Sequence, residues 1–177
     1  DSPVQKYCPA FPQKPWPVTT RQLLGNLGGI RSYNVPEQPY SVSQSDPEVG
    51  NTRHFDNGIE GGLKFFANDP LVAQPGTHFN YSTVAGCAIE GASGQKYADA
   101  VREMVLIPAG MLQTRPDERF AIVPFRTRFY SKDQSGAVMN ADFLDASYKV
   151  PGGGWLSSAP DMARFEAAIM NNRLLKR

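Results

Sequence analysis

The amino-acid sequence predicts an α+β fold that is mainly helical, rich in loops and completed by one small β-hairpin. Several short segments carry apolar residues at the three- and four-residue spacing of a helix that buries one face. Residues 120–130 are rich in β-branched and aromatic side chains and precede a turn cluster at 132–136, as in a hairpin. The 15 prolines and 16 glycines cluster before Thr19, between Val35 and Asn57 and around residues 151–154, and they indicate loops instead of a regular bundle.

Length and charge limit what the protein can be. The 177 residues suffice for one domain with a core. The 18 basic and 17 acidic residues nearly cancel, so neither a nucleic-acid partner nor an anionic membrane surface is indicated. The longest apolar stretches, such as residues 104–111, are far shorter than the roughly 20 residues of a membrane span. Because the chain begins abruptly at Asp1, we expect residues 1–177 to be a single partial domain of a larger protein.

The N-terminal third combines extended chain with one short helix. Five prolines within residues 1–18 forbid a helix there. Thr19 and Thr20 then offer an N-cap to a helix over 21–27, and the glycine pair that follows ends it. Residues 32–57 are polar, contain three prolines and show no periodicity, so we predict a long surface loop.

Three helices are predicted in the middle of the chain. Residues 57–68 carry apolar side chains at i, i+4 and i+7, which defines one buried face. Residues 82–92 are small and apolar, which is typical of a buried helix. Residues 97–106 form the next helix, and Pro108 is expected to end it.

The C-terminal part contains the predicted hairpin and a last helix. The first strand lies within residues 120–130, and the chain returns as a second strand at 137–140. Ser158 can cap the last helix, while Pro160 and Asp161 suit its first turn.

Cys8 and Cys87 leave two explanations open. They could form a disulfide if the protein is exported, or they could stay buried as free thiols that act as small hydrophobic side chains. Two buried free thiols are the favoured explanation.

Tyr81 is the candidate catalytic residue, because it stands between a turn-rich stretch, residues 75–80, and the predicted helix at 82–92. A tyrosine at such a junction can project its hydroxyl into a cleft. To act as a base near neutral pH, it needs a nearby cation such as a lysine that makes its proton easier to lose. From spacing alone, a core tyrosine with one hydrogen bond is the commoner explanation.

Other motifs are less specific. Residues 93–96 match Ser-x-x-Lys, in which a desolvated lysine can act as base for a serine one helical turn away. The glycine inside this match disfavours a helix, and Ser93 can simply cap the helix that follows, so a structural role is favoured. Residues 32–34 match Ser-x-Asn, a pattern common by chance. His54 and His78 lack partners at metal-ligand spacing, and the sequence implies no metal or organic cofactor.

Several stretches, in order along nearly the whole chain, resemble one family. They are residues 1–9, Thr19-Thr20-Arg21-Gln22-Leu23-Leu24 through Ile30, Pro75-Gly76 through Tyr81-Ser82, Glu90 through Gly94, Pro108 through Met111, Ser147 through Gly154, and Ser157 through Phe165. The set resembles the class C β-lactamases, penicillin-binding DD-peptidases and related esterases. It is most similar to the branch of the mitochondrial serine β-lactamase-like proteins and their bacterial relatives.

The resemblance implies a β-lactamase/transpeptidase-like fold, of which this chain is mainly the helical subdomain, covered in the parent protein by an antiparallel sheet. It implies hydrolysis of an amide or ester bond in a small-molecule or peptide substrate through an acyl-enzyme. In the family, Ser-x-x-Lys supplies the nucleophile, Tyr-x-Asn the proton-exchanging tyrosine, and a late triplet helps to hold the substrate carboxylate. Here only the tyrosine motif matches, at Tyr81. The first motif is expected upstream of Asp1 and the last after Arg177.

The chain departs from the family pattern at three positions. Thr83 replaces the asparagine of the tyrosine motif, which makes it the candidate substrate-binding residue but puts the contact with the substrate amide in doubt. Asn26 stands where histidine is usual, and Gly28 where serine is usual. By the same resemblance, Gly153 and Trp155 are expected near the cleft.

Further expectations concern the whole protein. Its resemblance to bacterial relatives implies a periplasmic or secreted location. The isolated chain is expected to be inactive, and to dimerise through apolar surface that the rest of the parent domain would cover. The alternative is a catalytically inactive, penicillin-binding-like domain that serves in recognition or as a scaffold.

Overall fold

Short helices and two small sheets make up the part of the chain that a computed structural model describes, residues 1–31, 54–141, 145–148 and 150–175. The helices are α1 (Thr20–Leu24), α2 (Gly58–Leu63), α3 (Ala85–Ser93), α4 (Tyr97–Val101), α5 (Ile107–Ala109) and α6 (Ala159–Met170). The strands are β1 (Arg115–Pro116), β2 (Tyr130–Lys132), β3 (Val138–Asn140) and β4 (Trp155–Leu156). The predicted α+β class, mainly helical with a small hairpin, is confirmed. Most of the long loop predicted at 32–57, and the Ser-x-Asn match at 32–34, lie outside the described residues.

The first helix begins where the sequence predicts. Thr19 caps α1 in a reciprocal capping box: its Oγ1 accepts from the Gln22 amide at 3.2 Å, while Gln22 Oε1 accepts from the Thr19 amide at 2.9 Å. The helix ends earlier than predicted, at Leu24. The reason is that Asn26 adopts a left-handed φ of 54°, a conformation that stops a helix.

The helix that follows Tyr81 was predicted too long at its beginning. It starts at Ala85 and not at Ser82. Residues 82–84 form an irregular approach with a turn before it, and the Ser82 amide donates to the side chain of Asn26, a partner that local composition does not reveal. The predicted helix at 57–68 is also shorter, since α2 ends at Leu63 and tighter turns continue from there.

Pro108 does not end its helix, contrary to prediction. A π-helical turn, Arg102–Leu106, joins α4 to α5, so Pro108 falls in the first turn of α5, where a missing N–H is tolerated. The chain instead leaves the helix at Gly110, whose φ is 75°.

The hairpin is confirmed, but its first strand is much shorter than predicted. β2 pairs antiparallel with β3, with Ser131 opposite Met139. The turn between them is held by Asp133, whose Oδ1 accepts from the Ser135 amide at 2.8 Å. Residues 120–129 form no strand, since Pro124 interrupts them and Phe125 has a left-handed φ of 60°.

The core consists of two clusters. The larger joins the N-terminal segment to α1, α2 and α3; its buried members are Val4, Cys8, Phe11, Val18, Leu23, Ile30, Ile59, Leu63, Phe66, Ala67, Val84 and Cys87. The smaller joins α5 to α6 through Leu106, Ala109, Met111 and Ala168. No helix in the described part of the chain has the length and apolar character needed to cross a membrane.

The last helix begins with the predicted cap and is anchored by a buried acid. Ser158 Oγ accepts from the Asp161 amide at 3.3 Å. The Asp161 side chain is fully buried, and it accepts from the Gln113 amide at 2.8 Å and from Thr114 Oγ1 at 2.9 Å. Burial alone would raise the pKa of Asp161, but these hydrogen bonds and one from Arg164 hold it below its ordinary value. Asp161 therefore ties α6 to the chain that leads into β1.

The cysteines are paired, which makes the favoured explanation of two free thiols wrong. Cys8 is linked to Cys87 across a Cα–Cα distance of 5.4 Å, and both lie in the larger cluster. The two residues are 79 positions apart, so no local pattern could reveal their proximity. The bond fastens the proline-rich N-terminal segment to the first turn of α3, which follows Tyr81.

Replacing both cysteines, with Cys8→Ser and Cys87→Ser, should lower the free energy of unfolding by about 4 kcal/mol, because the bond restricts the unfolded chain over a long loop. Urea denaturation of both proteins, with and without a reductant, measures the difference. The reductant should destabilise the native chain and leave the double variant unchanged. Equal stability of the oxidised and reduced native chain would contradict the prediction.

Candidate functional site

Tyr81 lies in extended chain just before α3, with its hydroxyl at the surface of a glycine-rich loop, residues 152–154. Its side chain is 48% exposed, so it is not the core tyrosine that spacing alone favoured. The hydroxyl donates to the Gly152 carbonyl oxygen at 3.4 Å, a long hydrogen bond. The phenol is therefore accessible to a ligand while it touches a second segment that is 71 positions away in the sequence.

The glycine loop approaches Tyr81 so closely that a side chain at Gly152 would not fit. A Cβ there would overlap the Tyr81 hydroxyl and lie 2.8 Å from Thr83 Cγ2. At Gly153, by contrast, a Cβ would meet nothing within 4 Å. Gly153 therefore adjoins open space, and its expected position near a cleft stays a prediction.

Trp155 fixes the far end of the glycine loop. It begins β4, which pairs antiparallel with β1, and its indole Nε1 donates to the Val150 carbonyl at 2.8 Å. Gly154 before it has a φ of 75° and packs against Ala146 so closely that a Cβ would overlap the Ala146 methyl group. The backbone of the loop is thus held on both sides of Gly153.

Thr83 lies behind the glycine loop instead of facing solvent. It is 5% exposed, and its methyl group packs against the Gly152 backbone. Its carbonyl accepts from the Gly86 amide at 3.1 Å, one turn into the approach to α3. Thr83 is therefore part of the wall that carries Gly152, and its predicted contact with substrate stays a prediction.

The chain around Tyr81 is fastened to the end of α1. The Asn80 amide donates to the Asn26 carbonyl at 2.7 Å, and the Ser82 amide donates to Asn26 Oδ1 at 3.1 Å. Next to this, the Gly76 amide donates to the Leu27 carbonyl at 2.8 Å. The Pro-Gly stretch before Tyr81 and the helix end at Asn26 are thus one structural unit.

Ser93, the serine of the Ser-x-x-Lys match, ends α3. Its hydroxyl donates to the Ile89 carbonyl at 2.8 Å and accepts from the Gln95 amide at 3.2 Å. Gly94 follows with a left-handed φ of 70°, and Lys96 is the extended residue that precedes α4. These contacts are those of a helix–helix junction.

Sequence reasoning missed a histidine–carboxylate pair on the segment that leads into the glycine loop. His54 Nδ1 lies 3.0 Å from Asp145 Oδ2, and Asp145 is buried at 2% exposure. The Ser147 amide donates to Asp145 at 2.9 Å. Burial acts to raise the pKa of Asp145, but hydrogen bonds from Ser147 and His54 hold it below its ordinary value. The partners are 91 positions apart, so no spacing signal existed.

Within the described ranges, no cluster of three or more histidine, cysteine or acidic side chains has a geometry that could hold a metal ion. The groups that the described residues place at the site are the Tyr81 phenol, the backbone carbonyl of Gly152 and the open space at Gly153. A phenol in this position can donate a proton or, beside a cation, accept one.

Comparison with known proteins gives one consistent result. The family model described as Beta-lactamase matches residues 1–177, the whole chain. The serine beta-lactamase-like protein LACTB, mitochondrial, is 29% identical to this chain in Homo sapiens and also in Mus musculus. The alignments cover 96% of this chain but 42% and 43% of the relatives, so the chain spans less than half of their length.

Solved structures share the fold. A penicillin binding protein from Bacillus halodurans has a TM-score of 0.82 at 23% identity, with 100% of this chain and 54% of that chain covered. A D-stereospecific amidohydrolase from Streptomyces sp. has a TM-score of 0.78 at 26% identity, with 100% and 55% covered. An octameric penicillin-binding protein homologue from Pyrococcus abyssi has a TM-score of 0.74 at 24% identity, with 99% and 40% covered. The predicted β-lactamase/transpeptidase-like fold is thereby confirmed.

Gly152→Ala should destabilise the chain by about 1–3 kcal/mol, because the added methyl group displaces the Tyr81 hydroxyl and presses on Thr83. Gly153→Ala is the matched control, since its methyl group enters open space and should leave stability nearly unchanged. Urea denaturation of the three proteins measures the difference. If the two variants unfold at the same urea concentration, the close contact between Gly152 and Tyr81 does not exist in solution.

Proposed function

The chain belongs to the beta-lactamase family, and from this premise we propose that it forms part of a serine hydrolase that cleaves amide or ester bonds through an acyl-enzyme. The observation that carries the proposal is the half-exposed Tyr81 hydroxyl, held against the Gly152 carbonyl beside the open space at Gly153. The amidohydrolase from Streptomyces sp. shares both the fold and 26% sequence identity with this chain, which supports the cleavage of amide bonds.

Tyr81 is proposed as the general acid/base. The serine of a Ser-x-x-Lys motif, expected upstream of this chain, attacks the substrate carbonyl carbon and gives its proton to the Tyr81 phenolate. The phenol then returns that proton to the leaving nitrogen or oxygen as its bond to carbon breaks. Water hydrolyses the resulting ester by the same proton path in reverse.

One expectation from the family resemblance and one observation of the site support this role. The lysine of the expected motif would supply the cation that favours the phenolate. The hydrogen bond from Tyr81 to Gly152 is long at 3.4 Å, so the phenol can exchange it for a bond to an entering group at small free-energy cost.

Thr83 is proposed to act on substrate binding through the loop. Since it is buried with its methyl group against Gly152, its side chain supports the wall of the cleft on the side of Gly153. A small-molecule or peptide substrate would then contact the backbone of that wall. Gly153, where added atoms meet nothing within 4 Å, is the position at which substrate could approach the backbone most closely.

An oxidising compartment is proposed for the protein, either the periplasm or the extracellular space. The buried Cys8–Cys87 disulfide supports this, because such bonds persist where thiols are not kept reduced. The curated relatives are named as mitochondrial proteins, which leaves the compartment to be measured. Alkylation of the protein in intact cells, followed by mass analysis, would show whether the two cysteines are paired there.

Acyl-enzyme formation is tested with this chain and with a longer protein extended at both ends. Both are incubated with a fluorescent penicillin and, separately, with a fluorophosphonate, and the intact masses are followed in time. We expect labelling of the longer protein only, at a serine upstream of Asp1. Tyr81→Phe should slow it by about a hundredfold or more, because the proton path is lost. Tyr130→Phe, which removes an exposed tyrosine of the hairpin, is the control and should label at the native rate.

Three results would change this proposal. Labelling of the short chain at Ser93 would make Ser93 and Lys96 the catalytic pair. Equal rates for Tyr81→Phe and Tyr130→Phe would remove Tyr81 from the reaction. Absence of label in the longer protein with both probes would favour the inactive recognition or scaffold domain.

The isolated chain is also proposed to self-associate. Between β1 and β2 the chain exposes large apolar side chains, with Ile122 at 96% and Phe125 at 104% exposure. Surfaces of this kind are usually covered in a native protein. We propose that the rest of the parent domain covers them, and that a second copy does so when the chain is alone. The Pyrococcus abyssi homologue is named as octameric, which shows that this fold can assemble.

Ile122→Asp combined with Phe125→Asp should therefore shift the isolated chain toward the monomer and reduce the binding of a hydrophobic dye. Sedimentation velocity over a range of concentrations measures the first effect. Leu175→Asp, at an exposed apolar residue beyond α6, is the matched control and should leave the association unchanged. A native chain that is monomeric at every concentration and binds no dye would contradict the proposal.

A further inference from the structure

Asn26 makes hydrogen bonds on both sides of Tyr81. Its carbonyl accepts from the Asn80 amide at 2.7 Å, and its side-chain Oδ1 accepts from the Ser82 amide at 3.1 Å. A single residue thus fixes the backbone immediately before and immediately after the tyrosine. The second of these bonds depends on the side chain, so it can be removed by substitution.

The conformation of Asn26 is what allows both bonds. Its φ of 54° is left-handed, and asparagine is one of the few residues other than glycine that adopt this conformation readily. Its own amide donates to the Leu23 carbonyl at 3.0 Å, which anchors it to the last turn of α1. Because α1 is packed into the larger core cluster through Leu23, the bonds to Asn80 and Ser82 rest on a fixed support.

The side chain of Tyr81 contributes little to its own placement. Among the described residues its hydroxyl makes one hydrogen bond, the 3.4 Å bond to Gly152, and its ring is half-exposed. The direction of the phenol is therefore set mainly by the backbone on either side of it. A small rotation of that backbone would move the hydroxyl, at the end of a long rigid side chain, by much more than it moves the Cα atom.

We propose that Asn26 is a positioning residue for Tyr81, which it holds at the edge of the glycine loop through the Ser82 amide. The inference rests on the proposed function, in which Tyr81 transfers the proton. In this proposal α1 contributes no reacting group. It supports Asn26, and Asn26 orients the acid/base Tyr81. Position 26 therefore requires a left-handed backbone and a side chain as short as that of asparagine that carries a hydrogen-bond acceptor.

Two substitutions separate the side-chain bond from the backbone conformation. Asn26→Gly keeps the left-handed φ available and removes Oδ1, whereas Asn26→Asp keeps both the conformation and the acceptor. Asn172→Gly is the matched control, because Asn172 also has a left-handed φ, of 53°, but follows α6. All three are made in the longer protein, and Asn26→Gly is also combined with Tyr81→Phe.

Acylation by the fluorescent penicillin is measured at saturating and at low probe concentration, with a thermal melt of each variant. Asn26→Gly should slow the saturated rate by about ten- to a hundredfold, the usual result of a misplaced catalytic group. The probe concentration at half-saturation should change little. Asn26→Asp should recover most of the rate, and Asn172→Gly should react as the native protein does. In the Tyr81→Phe background, Asn26→Gly should have no further effect, because the group that it positions is already absent.

A slowing of equal size in both backgrounds, or one that only follows the loss of melting temperature, would overturn the inference. A second measurement tests the contact between Asn26 and Ser82 independently of the proposed function of Tyr81. Hydrogen exchange of the Ser82 amide in the 177-residue chain should be about tenfold faster in Asn26→Gly than in Asn172→Gly. If Tyr81→Phe reacts at the native rate while exchange of the Ser82 amide is faster in Asn26→Gly, Tyr81 is not the acid/base but the contact from Asn26 to Ser82 exists. Unchanged exchange removes the contact itself.

Discussion

Close backbone packing around α3 is the constraint on which the site depends. A Cβ at Gly91 would overlap the Tyr7 carbonyl, and one at Gly86 would overlap the Pro151 ring. The glycines of this helix therefore bring it against the N-terminal segment on one side and against the approach to the glycine loop on the other. The Cys8–Cys87 disulfide fixes the first of these contacts covalently. Because Tyr81 stands just ahead of α3, the same packing delivers its phenol to Gly152.

The site is consequently a junction between distant segments. Tyr81 is supported from α1 through Asn26, and the glycine loop that contains Gly152 leads directly into β4, which pairs with β1. Each support is a hydrogen bond or a tight contact to backbone, which leaves the phenol itself free to react. Such an arrangement suits an acid/base, since a proton carrier must keep its position while its own hydrogen bonds change during the reaction.

Local signals in the sequence were sufficient where the structure is local. The cap at Thr19 and the cap at Ser158 each involve partners within three residues, and both were predicted. Interactions between distant parts of the chain gave no such signal. The disulfide, the His54–Asp145 pair and the bond from Ser82 to Asn26 span 79, 91 and 56 positions.

The two departures from the family pattern at the end of α1 follow from the same geometry. At Asn26 a short side chain with an acceptor oxygen reaches the Ser82 amide from a left-handed backbone. At Gly28 a Cβ would lie 2.9 Å from a methyl group of Leu23, so a side chain there would require the end of the Leu23 side chain to shift. Gly29, by contrast, lies against backbone, since a Cβ there would overlap the Ala73 carbonyl oxygen. The segment from Asn26 to Gly29 thus supports the loop before Tyr81 through backbone hydrogen bonds and the Asn26 side chain.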